Sequence, residues 1–98
     1  MAALEHLYLV SYDVCDDRRW RRLFKTMKGY GEWLQLSVFQ CRLSRMRVVQ
    51  LEAALAEIID HGEDHVLIVD LGPAANVLPQ VKSLGRPFAP PSREPVIV

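Results

Sequence analysis

Cysteine is scarce in this chain of 98 residues, and its scarcity excludes several classes of protein. Cys15 and Cys41 are the only two, and their spacing fits neither a metal-binding pair nor a disulfide framework. We therefore expect two small buried side chains rather than a zinc site or a secreted, disulfide-rich scaffold. No secretory signal is recognisable before the first hydrophobic run, so we expect a cytoplasmic protein.

Long apolar runs and net charge are also missing. No hydrophobic segment approaches the roughly 20 residues that cross a bilayer as a helix, which argues against a membrane role. The 12 Lys and Arg balance the 12 Asp and Glu, and this neutrality argues against indiscriminate binding to polyanions. The balance is uneven, since residues 1–50 hold nine basic and five acidic residues, whereas residues 51–98 hold three and seven. We therefore expect one local basic surface.

Half of the residues are hydrophobic, which suffices at this length for one domain with one core. We expect a folded domain over residues 1–80, followed by a C-terminal strand and tail over residues 81–98. The stretch 74–98 has five prolines and no helical period, although residues 81–88 fit a short strand. Its apolar end at residues 96–98 needs a surface to pack on, so an ordered and a frayed tail both stay open.

The pattern of hydrophobic residues predicts a mixed α+β domain. Dense apolar residues predict strands over residues 4–13, 32–43 and 65–71, the first and the last of them buried inside a sheet. Apolar residues at helical spacing predict a helix from Asp17 that is capped by Asp16 or Asp17 and stopped by the glycines at positions 29 and 31. A second helix is expected from its cap Ser44 to about Ile59.

Asp13 stands at the carboxyl end of the first predicted strand, directly before a helix that is rich in basic residues. A carboxylate at such a place is held on a rigid support and can bind a cation or a polar ligand. The basic residues lie opposite the apolar stripe of the helix and project into solvent, at Arg18, Arg21, Arg22, Lys25 and Lys28. Together these features suit an enzyme that acts on nucleic acid. Each also has a structural interpretation, because Asp13 fits a turn or cap and the cations fit an ordinary solvated face.

Five segments in this order resemble the small CRISPR-associated nucleases of the Cas2 type. They are YLVSYDVCDD (8–17), KGYGEWLQLSVFQCRL (28–43), the helix end Ile58-Ile59-Asp60, the strand around residues 65–71, and Leu84-Gly85-Arg86-Pro87. Each segment is weak alone, and the match owes its specificity to their order over most of the chain. The chain departs from the pattern at Trp33, because relatives often have a basic residue after the Gly-Tyr-Gly-Glu turn.

The resemblance implies a ferredoxin-like βαββαβ fold with an additional C-terminal strand that pairs with the partner subunit of a homodimer. It also implies that the region 32–43 is split into two antiparallel strands near Leu36-Ser37, against the single strand that the pattern alone predicts. It implies a metal-binding, catalytic aspartate that matches Asp13, with Mg2+ (or Mn2+) shared between two copies. Ser37 and Phe39 would position a nucleotide, although Ser37 also fits a turn and Phe39 fits the core.

Three functions remain open. The first is a Mg2+-dependent endonuclease for single-stranded RNA or duplex DNA, in which Arg18, Arg21, Arg22 and Lys25 hold the phosphates. The second is a non-catalytic dimeric adaptor that binds duplex DNA and bridges copies of the Cas1 integrase during spacer acquisition. The third makes no use of the resemblance and is a ferredoxin-like regulatory module with a small ligand at a dimer interface, which leaves the cationic cluster unexplained.

Overall fold

The computed structural model describes residues 4–85, which form a four-stranded antiparallel sheet and two helices. The elements in chain order are β1 (Glu5–Asp13), α1 (Asp17–Lys28), β2 (Glu32–Gln35), β3 (Val38–Ser44), α2 (Arg45–Ile58), β4 (His65–Pro73) and a short 3-10 turn (Ala74–Asn76). The strands lie in the order β2-β3-β1-β4, so β1 is central and pairs with both β3 and β4. The βαββαβ order expected from the resemblance is therefore confirmed.

Both helices begin at side-chain caps that the sequence predicted. The Asp16 carboxylate accepts a hydrogen bond from the backbone N–H of Arg19 at 3.0 Å, so Asp16 rather than Asp17 caps α1. The Ser44 hydroxyl accepts in the same way from the N–H of Arg47 at 3.2 Å. Such oxygens replace the missing helical acceptors for the first N–H groups of a helix and fix where it starts.

The single strand predicted over residues 32–43 is wrong, because the chain turns at Leu36-Ser37 and pairs β2 with β3. Leu36 is hydrophobic yet 72% exposed at this turn, so the hydrophobic pattern alone does not reveal the turn.

The absence of a side chain at Gly31 lets the residue before β2 lie close to β3. A Cβ at Gly31 would collide with the Cys41 sulfur and come within 2.5 Å of the Gln40 carbonyl oxygen, so any larger residue would push β3 away.

The helices cover only one face of the sheet. Tyr8, Val10 and Tyr12 of β1 face that side, and the largest fully buried side chains packed there are Phe39, Leu23, Met27, Leu51, Val10 and Cys41. The prediction that β4 is a buried strand is therefore wrong for the single chain, whereas Leu7 of β1, on the face away from the helices, is only 5% exposed. On the opposite face Leu67 and Val69 of β4, which pair with Ser11 and Leu9, are 50% and 44% exposed.

The two cysteines have different environments. Cys41 is buried as expected. Cys15 is exposed, and its thiol donates to the Glu63 carbonyl oxygen at 3.3 Å, so the expectation of a buried side chain is wrong for Cys15.

Residues 81–85 form no strand in the single chain, and residues 86–98 lie outside the described residues, so the C-terminal strand stays a prediction. Neither helix between residues 4 and 85 has the length and apolarity to cross a bilayer.

Candidate functional site at the end of the first strand

Asp13 is the last residue of β1 and its side chain is exposed. The residue pairs with His65, the first residue of β4, so its backbone belongs to the rigid ladder between the two strands. Within residues 4–85 its carboxylate has no hydrogen-bond or ion-pair partner. Its position at the strand end is as predicted, and its binding of an external ligand stays a prediction.

Asp64 lies beside this strand end, and its carboxylate has no exposed surface. Its Oδ1 accepts from the N–H of Cys15 at 3.0 Å, and its Oδ2 accepts from the N–H of Asp60 at 2.8 Å. The Arg19 guanidinium adds two bonds, from Nε to Oδ2 at 2.7 Å and from Nη2 to Oδ1 at 3.3 Å. The four bonds occupy both oxygens, and they join the loop after β1, the helix α1 and the loop before β4.

This arrangement shifts the pKa values of both partners in the direction that favours the charged pair. The Arg19 guanidinium, helped by the backbone N–H groups of Asp60 and Cys15, lowers the pKa of the Asp64 carboxyl to about 2 against the opposing effect of burial. The hydrogen bond to Asp64 raises the pKa of the Arg19 guanidinium above its ordinary value. Sequence reasoning missed Asp64, because an acid in a loop of four polar residues and a glycine gives no sign of burial.

The other predicted basic residues of α1 are placed as expected. Exposed side chains that form no ion pair within residues 4–85 are those of Arg18, Arg21, Arg22, Lys25 and Lys28. Lys28 lies over the Phe24 ring, with its Nζ 5.2 Å from the ring centre. Arg19 is therefore the one cation of this helix that the described residues neutralise, and the rest form an uncompensated basic face.

Ser37 lies half-buried beside the end of β1, whereas Phe39 lies in the core. The Ser37 hydroxyl accepts from the Trp20 indole N–H at 3.1 Å, and its carbonyl oxygen accepts from the N–H of Tyr12 at 3.0 Å. The Phe39 ring is fully buried and packs in the core against Tyr12 and Phe24. These positions agree with the turn and core interpretations, and a nucleotide contact of either residue stays untested.

Tyr12 and Trp33 are both held by packing. The Tyr12 ring is buried opposite Asp13, as predicted, and burial raises the pKa of its phenol. Its hydroxyl has no hydrogen-bond partner among the residues described. Trp33 meets Phe24 edge to face and donates its indole N–H to the Leu36 carbonyl oxygen at 3.2 Å. Trp33, where the chain departs from the family pattern, therefore packs against its neighbours in the single chain.

A single chain offers only part of a metal site. No three His, Cys, Asp or Glu side chains between residues 4 and 85 come together closely enough to hold a metal ion. Mg2+ takes six oxygen ligands and usually keeps several of them as water, so the Asp13 carboxylate fits one position of its coordination shell. Within residues 4–85, Asp13 therefore belongs to no cluster of three such side chains and supplies one carboxylate.

The sequence of this chain is similar to those of known CRISPR-associated proteins. The family model described as "CRISPR associated protein Cas2" matches residues 6–76. The chain belongs to the Cas2 family. It is 65% identical over 95 residues to the CRISPR-associated endoribonuclease Cas2 of Geobacter sulfurreducens, covering 97% of this chain and 100% of that protein. Its identity to the CRISPR-associated endoribonuclease Cas2 1 of Rhodospirillum rubrum is 52%, over 96% of this chain and 92% of the relative.

Solved Cas2 structures share the fold as well. The Streptococcus pyogenes Cas2 crystal structure superimposes with a TM-score of 0.71 at 32% identity, covering 81% of this chain and 99% of that one. A second Cas2 crystal structure gives a TM-score of 0.75 at 33% identity, covering 90% and 95% of the two chains. These likenesses confirm the α+β fold class of this Cas2 chain.

The buried Asp64 predicts a specific pH dependence of stability. Because the folded state lowers the carboxyl pKa from its ordinary 3.8 to about 2, the pair stabilises the fold fully above about pH 4. That stabilisation is lost as the pH falls through about 2, where the folded state also takes up the proton. Thermal unfolding followed by circular dichroism should show wild type melting above Asp64→Asn at pH 6, with the gap shrinking towards pH 2. Arg19→Gln should likewise reduce the pH dependence of the melting temperature. If wild type and Asp64→Asn differ as much at pH 2 as at pH 6, the ion pair is not the source of the difference.

Proposed function

We propose that this chain is a cytoplasmic, CRISPR-associated and metal-dependent endonuclease that cuts RNA and takes part in spacer acquisition for antiviral defence. The observation that carries the proposal is the unpaired, exposed Asp13 at a rigid strand end, four residues before a helix with a face of uncompensated cations. The names of the Geobacter and Rhodospirillum relatives, both endoribonucleases, support RNA as the substrate. Cleavage of DNA is the other outcome that the experiments below distinguish.

The proposed metal is Mg2+, with Mn2+ as a substitute, held by Asp13 from each of two subunits. Two carboxylates that face each other across a two-fold axis repel, and a divalent cation between them relieves that repulsion. When bound, the metal supplies Lewis-acid stabilisation of charge on the phosphate. Arg18, Arg21, Arg22 and Lys25 would bind the flanking phosphates, a contribution that orients the substrate without reading its sequence.

The open face of the sheet supports the proposed homodimer. Leu67, Val69 and Leu71 of β4 are 50%, 44% and 37% exposed, and β4 is an edge strand of the sheet. Edge strands and contiguous apolar surfaces favour pairing with another chain. We propose that a second copy covers this surface and that residues 81–98 of each chain dock on the partner.

A second candidate function is a non-catalytic adaptor that binds duplex DNA and bridges copies of the Cas1 integrase. It is favoured by one observation, namely that the exposed cations of α1 form no ion pair within residues 4–85 and need no metal to bind phosphates. The two functions share the dimer and the basic face, and they differ only in whether Asp13 is required.

The first prediction concerns cleavage. Asp13→Asn should lower the rate of Mg2+-dependent cleavage of labelled RNA by more than about 100-fold, since even supporting residues of a metal site contribute about 10- to 100-fold. The dimer and nucleic-acid affinity should persist, because neither depends on this carboxylate. Asp17→Asn is the matched control, with the same loss of charge on an exposed residue of α1, and should cleave normally. If wild type cleaves neither RNA nor DNA, or if Asp13→Asn cleaves equally fast, the adaptor function replaces the nuclease.

The second prediction concerns the basic face. Replacing Arg18, Arg22 and Lys25 by Glu should weaken binding to RNA and duplex DNA regardless of base sequence. Each lost contact with duplex phosphates should reduce the slope of log affinity against log salt by about 0.9. Fluorescence anisotropy titrations at several salt concentrations measure both quantities.

The control for this reversal changes the charge at exposed cations outside α1 and outside the segment proposed to dock on the partner. Arg45 and Arg47 meet both conditions, so Arg45→Glu with Arg47→Glu is compared with the double variant Arg18→Glu with Arg22→Glu. This control should keep the wild-type salt slope. Equal slopes in the two double variants would place the nucleic acid on another surface.

The third prediction concerns the dimer. Truncation after Gln80 leaves β4 and the 3-10 turn intact but removes the segment proposed to dock on the partner. Sedimentation velocity should show monomer or aggregate in place of a dimer, because the apolar face loses its cover. Full-length Asp13→Asn should sediment like wild type. A stable dimer after truncation would show that residues 81–98 are dispensable for pairing.

A further inference from the structure

One buried carboxylate connects the two parts of the proposed site. Asp64 is bonded to the loop that follows Asp13 and to the helix that carries the basic face. We propose that Asp64 is a positioning residue, which sets the direction of the Asp13 carboxylate relative to the cations of α1. The proposal rests on the nuclease function above, and it assigns a role in that function to a residue outside the motifs of the sequence.

The first arm of Asp64 acts on the Asp13 loop. The N–H of Cys15, two residues after Asp13, donates to Asp64 Oδ1 at 3.0 Å. The backbone of Asp13 itself pairs with His65, the residue that follows Asp64. Asp13 is thus held by the strand ladder at its own position and by a charge-assisted bond two residues later. With both points fixed, the backbone around Asp13 holds the direction in which its side chain leaves the strand.

The second arm acts on the helix. Arg19 donates from Nε and Nη2 to the two oxygens of Asp64, and Nη2 also lies 3.2 Å from Glu63 Oε2. A planar guanidinium bound at two points resists rotation, unlike a single contact. The Asp16 cap holds the same turn of α1 through the N–H of Arg19 at 3.0 Å. Because Arg18 and Arg22 lie on this helix, fixing the rotation of α1 also fixes where they point.

The third contact makes Asp64 a rigid support. Its Oδ2 accepts from the N–H of Asp60 at 2.8 Å, so the loop between α2 and β4 holds the carboxylate in place. The Asp60 side chain stabilises the same loop through the N–H groups of Gly62 and Glu63, at 2.8 and 3.1 Å, and has no bond to Cys15 or Arg19. Asp60 therefore offers a matched control, since its replacement perturbs the loop without cutting either arm of Asp64.

The test compares Asp64→Asn with Asp60→Asn in the full-length chain on an RNA oligonucleotide with Mg2+. Asp64→Asn misplaces the Asp13 carboxylate, so kcat should fall about 10- to 100-fold, and the released cations of α1 should raise KM by a smaller factor. Asp60→Asn should keep both constants. A loss carried by KM alone, equal losses in the two variants, or an unchanged kcat in Asp64→Asn would overturn the proposal.

A second measurement is independent of catalysis and of metal. Amide hydrogen exchange followed by NMR should show the Cys15 amide exchanging at least about tenfold faster in Asp64→Asn, and unchanged in Asp60→Asn. Should wild type cleave no nucleic acid, the nuclease function fails and this measurement alone decides the positioning role. Unchanged exchange at Cys15 refutes that role in either case.

Arg19→Lys keeps the test decisive if Asp64→Asn does not fold. Lysine retains the positive charge beside Asp64 but contacts it at one point, so the helix loses its rotational restraint while the pair survives. Its kcat should fall less than that of Asp64→Asn, and its KM should rise, because the cations of α1 that bind phosphates lose their fixed direction. Wild-type kcat and KM in a folded Arg19→Lys would remove the helix arm from the proposal.

Discussion

The buried carboxylate of Asp64 is the constraint on which the arrangement around Asp13 depends. A carboxylate without solvent contact is costly unless every lone pair is used, and here four donors from three segments supply those bonds. Removing any one donor leaves a buried charge less compensated, so the segments are held together cooperatively. The loop after β1, the start of α1 and the start of β4 consequently behave as one unit.

Much of this fold could be predicted from local sequence chemistry. Asp16 and Ser44 mark helix starts because a side-chain oxygen before a helical run has one favourable role, which is to cap it. Asp13 at the end of β1 could be found in the same way, since strand ends are readable from hydrophobic runs. The cations of α1 follow from helical periodicity, which separates them from the apolar stripe.

Other features depend on contacts between distant segments and could not be predicted from the pattern. The turn at Leu36-Ser37 interrupts a continuous hydrophobic run, and only the resemblance to Cas2 proteins indicated it. The exposure of β4 depends on the sheet having helices on one face alone, which the composition of a strand does not reveal. The burial of Asp64 is set by a partner 45 positions away in the chain, Arg19, so no local signal precedes it.

The unequal environments of the two cysteines have a practical consequence for spectroscopy. Cys41 is fully buried beneath the helices, and this burial raises the pKa of its thiol to about 11, so its reactive thiolate is scarce at neutral pH. Cys15 is exposed and lies two residues from Asp13. A maleimide dye added to the unmodified protein should therefore attach at Cys15 alone. The natural chain thus carries its own single attachment point for a fluorophore or spin label at the strand end.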